Sequence, residues 1–179
     1  MLKKILIKDK ILLNKKIRIS NRDKCFIVAE ISANHGGSLN ILKKTMLAAK
    51  KSGADAVKIQ SYEASTMTLK SKNRHFLIND KSIWKNQQLY KLYQKAETPF
   101  KWHQEIFAFA KKNNIFCFSA PFDLTAVDLL EKLNCPLYKI ASPEIEDLRL
   151  IEKIAKTKKP IIISTGIASE KDIKKAIEI

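Results

Sequence analysis

The sequence is poor in glycine, proline and cysteine, and it has no long apolar run. With 4 glycines and 5 prolines in 179 residues, a collagen-like or disordered chain is excluded. The three cysteines, Cys25, Cys117 and Cys135, lie far apart without a C-x-x-C pair, which argues against zinc and thioredoxin chemistry. No signal-peptide pattern or membrane-spanning run is present. We therefore expect a cytoplasmic, globular protein whose thiols stay reduced.

Acidic residues are also scarce compared with basic ones. The chain has 18 Asp and Glu against 34 Lys and Arg, a formal net charge of +16. Such an excess can indicate a polyanionic partner. The lysines, however, are spread over every predicted helix and form no basic arm or single stripe. We therefore expect neither a nucleic-acid nor a membrane partner, and part of the charge would attract an anionic substrate.

Short apolar runs rich in β-branched residues alternate with stretches of helical spacing from residue 26 onward. Such runs predict parallel strands that are covered on both faces. Five of them occur, at residues 26–31, 56–61, 115–119, 137–141 and 160–164. The pattern predicts right-handed βαβ units, and it fits a doubly wound sheet as well as a (β/α)₈ barrel. Residues 5–20 alternate between apolar and polar, so we assign residues 1–24 to an N-terminal β-hairpin.

One connection is much longer than the others. About 40 residues separate Tyr62 from Trp102, whereas connections after strands usually run about 2 to 6 residues. The segment contains Trp84, Tyr90 and Tyr93, and it is too apolar for a linker. We expect it to fold over the carboxyl end of the sheet as a lid with a short helix near residues 87–95, because barrel active sites lie on that face.

Polar side chains collect where the predicted strands end, which is where α/β enzymes place their chemistry. Lys58 and Lys139 each lie inside an apolar strand, and a buried lysine needs a partner. Two inward ammonium groups repel each other unless an anion lies between them. A phosphate or carboxylate of a substrate would satisfy both. The alternative is that Glu30 or Glu144 neutralises the lysines for structural reasons.

Neutral donors accompany the two lysines. Hydroxyl and amide groups beside a lysine make a phosphate site. The candidate substrate-binding residues are Lys58, Gln60, Ser119, Lys139, Ser142 and Ser164. The three histidines, His35, His75 and His103, have no metal-ligand spacing, so we predict no metal site within this chain.

Five segments, taken together and in order, resemble the N-acetylneuraminate synthase family. They read AEISANHGG, ADAVKIQSY, FSAPF, YKIASPE and IIISTGIAS, and they begin at residues 29, 54, 118, 138 and 161. The segment 82–107 is more similar to the pseudaminic acid synthases of this family than to the bacterial sialic acid synthases. The resemblance assigns residues 25–179 to the N-terminal part of a phosphoenolpyruvate-dependent TIM barrel, an α/β fold of which about five βα units are present.

The resemblance also implies an activity. Enzymes of this kind condense phosphoenolpyruvate with an open-chain amino sugar and release phosphate; the pseudaminic subfamily uses 2,4-diacetamido-2,4,6-trideoxy-β-L-altropyranose. It implies a homodimer with a divalent metal, manganese or magnesium. The two histidine ligands of this metal would lie beyond Ile179, together with the later strands of the barrel and an antifreeze-like domain. We therefore expect this chain to be an incomplete barrel that is inactive alone.

Roles follow from the resemblance residue by residue. Lys58 and Lys139 match lysines that hold phosphoenolpyruvate, and Gln60 matches a polar group near the substrates. Ser142 and Ser164 match hydroxyls on the phosphate side.

Two acids are the expected catalytic residues. Glu30 matches an acid close to the sugar, and Glu144 matches an acid near the reacting enol carbon. Ala120 stands where the family commonly has a hydroxyl residue, which removes one phosphate donor beside Ser119.

Other readings of the sequence remain open. The sugar could be that of an N-acetylneuraminate synthase. A barrel lysine could instead form a Schiff base, as in lyase-type aldolases. The non-enzymatic alternatives are a fragment that binds nucleic acid through charge alone and an inert basic gene fragment.

Overall fold

The structure is a computed structural model, and it describes residues 10–13, 17–20, 22–79 and 81–179. Two short strands, β1 (Lys10–Leu12) and β2 (Arg18–Ser20), pair antiparallel at its start. They correspond to the predicted hairpin, whose residues 1–9, 14–16 and 21 lie outside the described part. Leu13 is buried in one apolar cluster with Ala56 and Phe118. This contact attaches the hairpin to the main sheet.

Five parallel strands form the main sheet, and they lie side by side in chain order. They are β3 (Val28–Glu30), β4 (Ala56–Ser61), β5 (Phe116–Pro121), β6 (Tyr138–Ile140) and β7 (Ile161–Ile163). All five runs predicted from the sequence form strands, which confirms that part of the prediction. A doubly wound sheet would reverse its strand order at a switch point, whereas a barrel wall keeps the order of the chain. The sheet is therefore part of a (β/α)₈ barrel.

Helices connect the strands and cover the outer face of the sheet. The seven α-helices of the described residues are α1 (Leu39–Lys51), α2 (Ala64–Met67), α3 (Leu89–Ala96), α4 (Phe100–Lys112), α5 (Leu124–Lys132), α6 (Leu148–Ala155) and α7 (Glu170–Glu178). Serine residues cap the N-termini of α1 and α7. The Ser38 hydroxyl accepts from the Ile41 amide at 3.3 Å, and Ser169 forms a capping box with Asp172. None of these helices is long and apolar enough to cross a membrane.

Side chains of β4 and β5 alternate between the two faces of the sheet. Val57, Ile59 and Cys117 point outward into an apolar cluster with Met46 of α1 and Ile106 of α4. Burial of each large apolar side chain contributes about 1.5 to 3 kcal/mol. The residues between them therefore point inward, toward the axis of the barrel.

The long connection after β4 has structure of its own. We call residues 62–99 the lid. The predicted lid helix is found as α3, which packs against α2. Tyr62 packs edge-to-face against Tyr93 of α3 and against Phe122, which follows β5, with ring centroids 6.0 and 5.4 Å apart. The Thr66 hydroxyl donates to Asp123 at 2.8 Å. The lid is thus anchored at the carboxyl end of the sheet.

The apolar face of α6 provides a test of the packing. Ile154 is fully buried, whereas Ile177 of α7 is 58% exposed. We expect Ile154→Val to lower the free energy of unfolding by about 0.5 to 1.5 kcal/mol, because it removes one buried methylene. Ile177→Val should change it by less than about 0.5 kcal/mol. Urea unfolding measures both, and equal losses would contradict the assigned faces.

Candidate active site

Strand register brings Glu30 of β3 next to Lys58 of β4. The Lys58 ammonium forms an ion pair with one oxygen of the Glu30 carboxylate, and the Ser32 amide donates to the other at 2.9 Å. Ser32 has a φ of +51°, so the chain turns back toward the carboxylate immediately after β3. The Ser32 hydroxyl also donates to Gln60 Oε1 at 3.0 Å. Three predicted site residues, Glu30, Lys58 and Gln60, therefore form one connected group.

Lys139 of β6 has different surroundings. Its ammonium donates to the Ser164 hydroxyl, just after β7, and to the Ile140 carbonyl, both at 2.6 Å. Within the described part of the chain, no carboxylate forms an ion pair with it. Burial, followed by repulsion from the Lys58 ammonium, lowers the pKa of Lys139 below its usual value, and Glu144 and Glu30 partly oppose this. The charge on Lys139 is therefore only partly compensated.

The loops after β6 and β7 are joined by a second hydroxyl. The Ser142 hydroxyl accepts from the Ile167 amide at 2.9 Å. Ser142 and Ser164 therefore both lie where these two loops meet, and Ser164 contacts Lys139 directly. Hydroxyls, backbone amides and an ammonium in one place are the donors that a phosphate or carboxylate group needs.

Glu144 lies in a short 3₁₀ helix, Pro143–Glu146, that follows β6. One oxygen of its carboxylate is buried, with no hydrogen-bond partner in the part of the chain that the structure describes. Burial raises the pKa of Glu144, and the nearby Lys139 ammonium partly offsets this. The structure thus holds a carboxyl group near Lys139 whose burial makes the charged form less favourable than it is in water.

Ser119 is the one predicted site residue that the structure does not bring to this group. It pairs in register with Ile59, whose side chain points outward, while Ala120 pairs with Gln60. The buried Ser119 hydroxyl lies 2.6 Å from the Ser61 hydroxyl and 3.2 Å from the Ile59 carbonyl. Ser119 therefore faces the helices, and the inward position on β5 belongs to Ala120.

The two acidic alternatives for neutralising the lysines can now be compared. Glu30 pairs with Lys58, and their side chains are 42% and 15% exposed. Glu144 influences the pKa of Lys139 without forming an ion pair with it. Glu30 therefore compensates the charge of Lys58 in the empty protein, whereas Lys139 has no such ion pair among the described residues. That both lysines bind an anionic substrate stays a prediction.

The histidines contribute no metal site in the described ranges. No group of three or more His, Cys, Asp or Glu side chains is placed to hold a metal ion there. His35 is buried edge-to-face against Trp102, and its Nδ1 accepts from the Gly37 amide at 3.0 Å. The residues at hand thus do not fit a divalent metal, and no chemical step through one is derived.

Two contributors to the site could not be predicted as such from the sequence. Ser32 links Glu30 and Gln60, and the Ile167 amide links the last two loops. Ser32 sits in the polar stretch after the first predicted strand, which is a weak signal. Its positive φ and the direction of the Ile167 amide have no sequence signal.

The fold is that of part of a (β/α)₈ barrel, and charged and polar side chains gather at the carboxyl ends of its strands, where barrel enzymes place their active sites. A family model described as "NeuB family" matches residues 45–179. The chain therefore belongs to the NeuB family.

Curated relatives support this assignment. The chain is 54% identical over 153 residues to a pseudaminic acid synthase from Helicobacter pylori and 47% identical over 156 residues to one from Campylobacter jejuni. These matches cover 86% and 87% of the chain and 45% of each relative. An N,N'-diacetyllegionaminic acid synthase from Campylobacter jejuni is 41% identical, over 87% of the chain and 46% of that relative. The chain spans less than half the length of these proteins.

Solved structures agree on the fold. The N-acetylneuraminic acid (sialic acid) synthetase of Leptospira borgpetersenii, solved in complex with citrate, superposes with a TM-score of 0.79 at 28% identity. This match covers 94% of the chain and 54% of that structure. A truncated 3-deoxy-D-arabino-heptulosonate 7-phosphate synthase of Thermotoga maritima has a TM-score of 0.63 at 12% identity, over 93% of the chain and 49% of that structure, and shows the fold alone.

The two lysines should differ when each is replaced by methionine, which keeps the apolar stem and removes the charge. Lys139→Met should leave the free energy of unfolding unchanged or raise it, because the lowered pKa shows that the charge is unfavourable in the folded protein. Lys58→Met should lower it by about 1 kcal/mol, the upper end of the range for exposed ion pairs, because Glu30 is open to solvent while Lys58 is only 15% exposed. Chemical unfolding at pH 7 compares them. A large loss for Lys139→Met alone would contradict the assignment.

The raised pKa of Glu144 predicts a pH dependence of stability. Above its ordinary value near 4.5, the native state keeps a proton that the unfolded state has lost. The free energy of unfolding should therefore fall as pH rises through this window. Glu144→Gln should be more stable than the parent at pH 7, and the difference should vanish below about pH 4.

The exposed neighbour Glu146 in the same 3₁₀ helix provides the control. Glu146→Gln should follow the parent across the whole pH series. Thermal melting from pH 3 to pH 8 gives both curves. Parallel curves for the parent and Glu144→Gln would contradict the prediction, because they would show that folding does not raise the pKa of Glu144.

Proposed function

We propose that this chain provides the phosphoenolpyruvate-binding part of a pseudaminic acid synthase. The observation that carries the proposal is Lys139, a half-buried ammonium with hydroxyl and carbonyl contacts but no carboxylate ion pair among the described residues. It lies beside Ser164, at the junction of loops that Ser142 holds together. An anion bound there would accept hydrogen bonds from residues of β6 and of the loops after β6 and β7. Its negative charge would also offset the repulsion between the Lys139 and Lys58 ammonium groups.

The relatives support the choice of reaction. The two pseudaminic acid synthases share 54% and 47% identity with the chain, and the diacetyllegionaminic acid synthase shares 41%. The more distant sialic acid synthetase was solved with citrate, which is itself an anion. We infer that the substrates are phosphoenolpyruvate and 2,4-diacetamido-2,4,6-trideoxy-β-L-altropyranose, and that the products are pseudaminic acid and phosphate.

The reaction joins two carbon atoms. The enol C3 of phosphoenolpyruvate attacks the aldehyde carbon of the open-chain sugar, and positive character develops at C2. The aldehyde oxygen becomes an alkoxide and takes a proton, while water adds to C2 and loses one. The C2 hydroxyl of the tetrahedral intermediate then gives its proton to the departing phosphate as the bond between C2 and the phosphate oxygen breaks, which leaves a ketone at C2. Lys139, Ser164 and Ser142 would hold the anionic substrate while negative charge moves onto the leaving phosphate.

The two acids have different tasks in this proposal. Glu144 lies near Lys139, and its raised pKa makes its carboxylate a stronger base than an ordinary glutamate. We therefore assign it to positioning and deprotonating the attacking water. Glu30 is held by Lys58 and Ser32 at the end of β3, where its carboxylate would orient sugar hydroxyls. Gln60, which accepts a hydrogen bond from Ser32, would contact either substrate.

The divalent metal and the homodimer remain proposals for the longer proteins that this chain resembles. The described residues do not supply metal ligands, and no step above depends on a metal. The chain's own contribution is to bind and orient phosphoenolpyruvate and to manage the proton of the water.

A hybrid enzyme tests the proposal. Residues 25–179 replace the matching segment of the Helicobacter pylori relative, so that a complete barrel is assayed. We expect phosphate release with the diacetamido trideoxy sugar. Lys139→Met should raise the KM for phosphoenolpyruvate about ten- to a hundredfold, the value of a charged hydrogen bond, and change the KM for the sugar little.

Controls separate the alternatives. A clear preference for N-acetylmannosamine would show that the activity is that of a sialic acid synthase and not of a pseudaminic acid synthase. A covalent adduct trapped by borohydride in the presence of pyruvate would indicate a Schiff-base aldolase. Unchanged phosphoenolpyruvate kinetics in Lys139→Met would show that the binding site lies elsewhere. The unmodified relative serves as the positive control.

A further inference from the structure

His103, on the first turn of α4, is a fully buried titratable residue that the proposed reaction does not use. Its Nε2 lies 2.7 Å from the Ser61 hydroxyl, and its Nδ1 lies 3.2 Å from the Pro99 carbonyl. The Ser61 hydroxyl lies in turn 2.6 Å from the Ser119 hydroxyl. These four residues form a continuous polar chain inside an otherwise apolar layer between the sheet and α4.

The direction of the hydrogen bonds in this chain is fixed by its ends. The Pro99 carbonyl can only accept, so Nδ1 carries the proton and Nε2 accepts from the Ser61 hydroxyl. Ser61 has one proton, so it accepts from Ser119, whose own single proton lies between the Ser61 hydroxyl at 2.6 Å and the Ile59 carbonyl at 3.2 Å. Burial lowers the pKa of His103, which agrees with a neutral imidazole in this position. Each buried polar group is thereby satisfied in one arrangement.

The two residues that His103 contacts lie at the two ends of the lid, where it leaves the sheet and where it returns. We call these two positions the roots of the lid. Ser61 is the last residue of β4, and the lid begins at the next residue. Pro99 is the N-cap residue of α4 and the last residue of the lid. One imidazole therefore joins the point where the lid leaves the sheet to the point where it returns. Ser119 extends the same hydrogen-bond chain to the neighbouring strand, β5.

Contacts inside the lid connect its two roots to its helices, α2 and α3. Tyr62, directly after Ser61, packs against Tyr93 of α3. Near the other root, the Glu97 carboxylate accepts from the Ala64 amide at 2.7 Å, which ties α2 to the end of α3. A shift of either root would therefore move the helices of the lid. The inward side of the same strand end carries Gln60.

We propose that His103 is a positioning residue that fixes both roots of the lid over the active site. If the proposed function is right, its loss impairs binding of the sugar rather than of phosphoenolpyruvate. The reason is topological: the lid arises from β4, whereas Lys139, Ser142 and Ser164 are held by β6 and β7.

Hydrogen–deuterium exchange on the chain tests the positioning role without any assay of activity. In His103→Leu, amides at residues 62–68 and 96–102 should exchange about tenfold faster, because two hydrogen bonds at the roots are lost. Amides of residues 138–164 should be unchanged. The matched control is Ile154→Val, which weakens the core at α6 and should leave the exchange of the lid roots as in the parent.

Two further variants keep the test decisive if His103→Leu does not fold. His103→Gln can still accept from Ser61, so it should restore slow exchange at residues 62–68 more than at 96–102. Ser119→Ala leaves the imidazole in place and should accelerate exchange only at residues 62–68. A long-range proton–nitrogen spectrum of the parent should show Nδ1 of His103 protonated and Nε2 unprotonated.

The kinetic consequence is measured in the hybrid enzyme. His103→Gln should raise the KM for the sugar several-fold and leave the KM for phosphoenolpyruvate within about twofold. Lid amides that exchange at the parent rate in every His103 variant would overturn the inference, as would an imidazole protonated at Nε2. Faster lid exchange in a hybrid whose parent has no synthase activity would overturn the proposed function and leave the positioning role intact.

Discussion

The incompletely compensated charge of Lys139 is the constraint on which the arrangement of the site depends. Its neighbour Lys58 has an ion-pair partner in Glu30, so the two ammonium groups are not equivalent. Donors from the two loops after β6 and β7 lie near Lys139, and a carboxyl group with a raised pKa lies close by. The incompletely compensated charge lowers the stability of the protein when the site is empty, and it favours the binding of an anion. Stability given up at a binding site is a common feature of enzymes.

Much of the fold could be predicted, because its signals are local. The run at residues 56–61 coincides with β4 at both ends, and serine, a common N-cap residue, precedes both α1 and α7. The lid helix was predicted from its apolar residues and the length of its connection. Strand order decided between two folds that the pattern allowed, since pairing between strands is not local.

The site was harder to predict where one residue of register decides the outcome. Ser119 and Ala120 are adjacent, yet the first faces the helices and the second faces Gln60. A shift of one position along a strand exchanges the two faces, and the sequence does not mark which face is inner. The same holds for Lys58 and Lys139, whose surroundings look alike in the sequence. Only tertiary contacts show that Lys58 forms an ion pair with Glu30 and that Lys139 donates a hydrogen bond to Ser164.

The sequential order of the strands has a consequence for folding. The pairs β5–β6 and β6–β7 form between segments that are close along the chain, whereas residues 62–115 must be closed into a loop before β4 pairs with β5. Loop closure of this length costs conformational entropy before any contact compensates for it. We expect the strands from β5 onward to assemble early and the β4–β5 joint to form late. The polar chain through Ser61 and Ser119 lies across that joint, so its hydrogen bonds would form in the last step of folding.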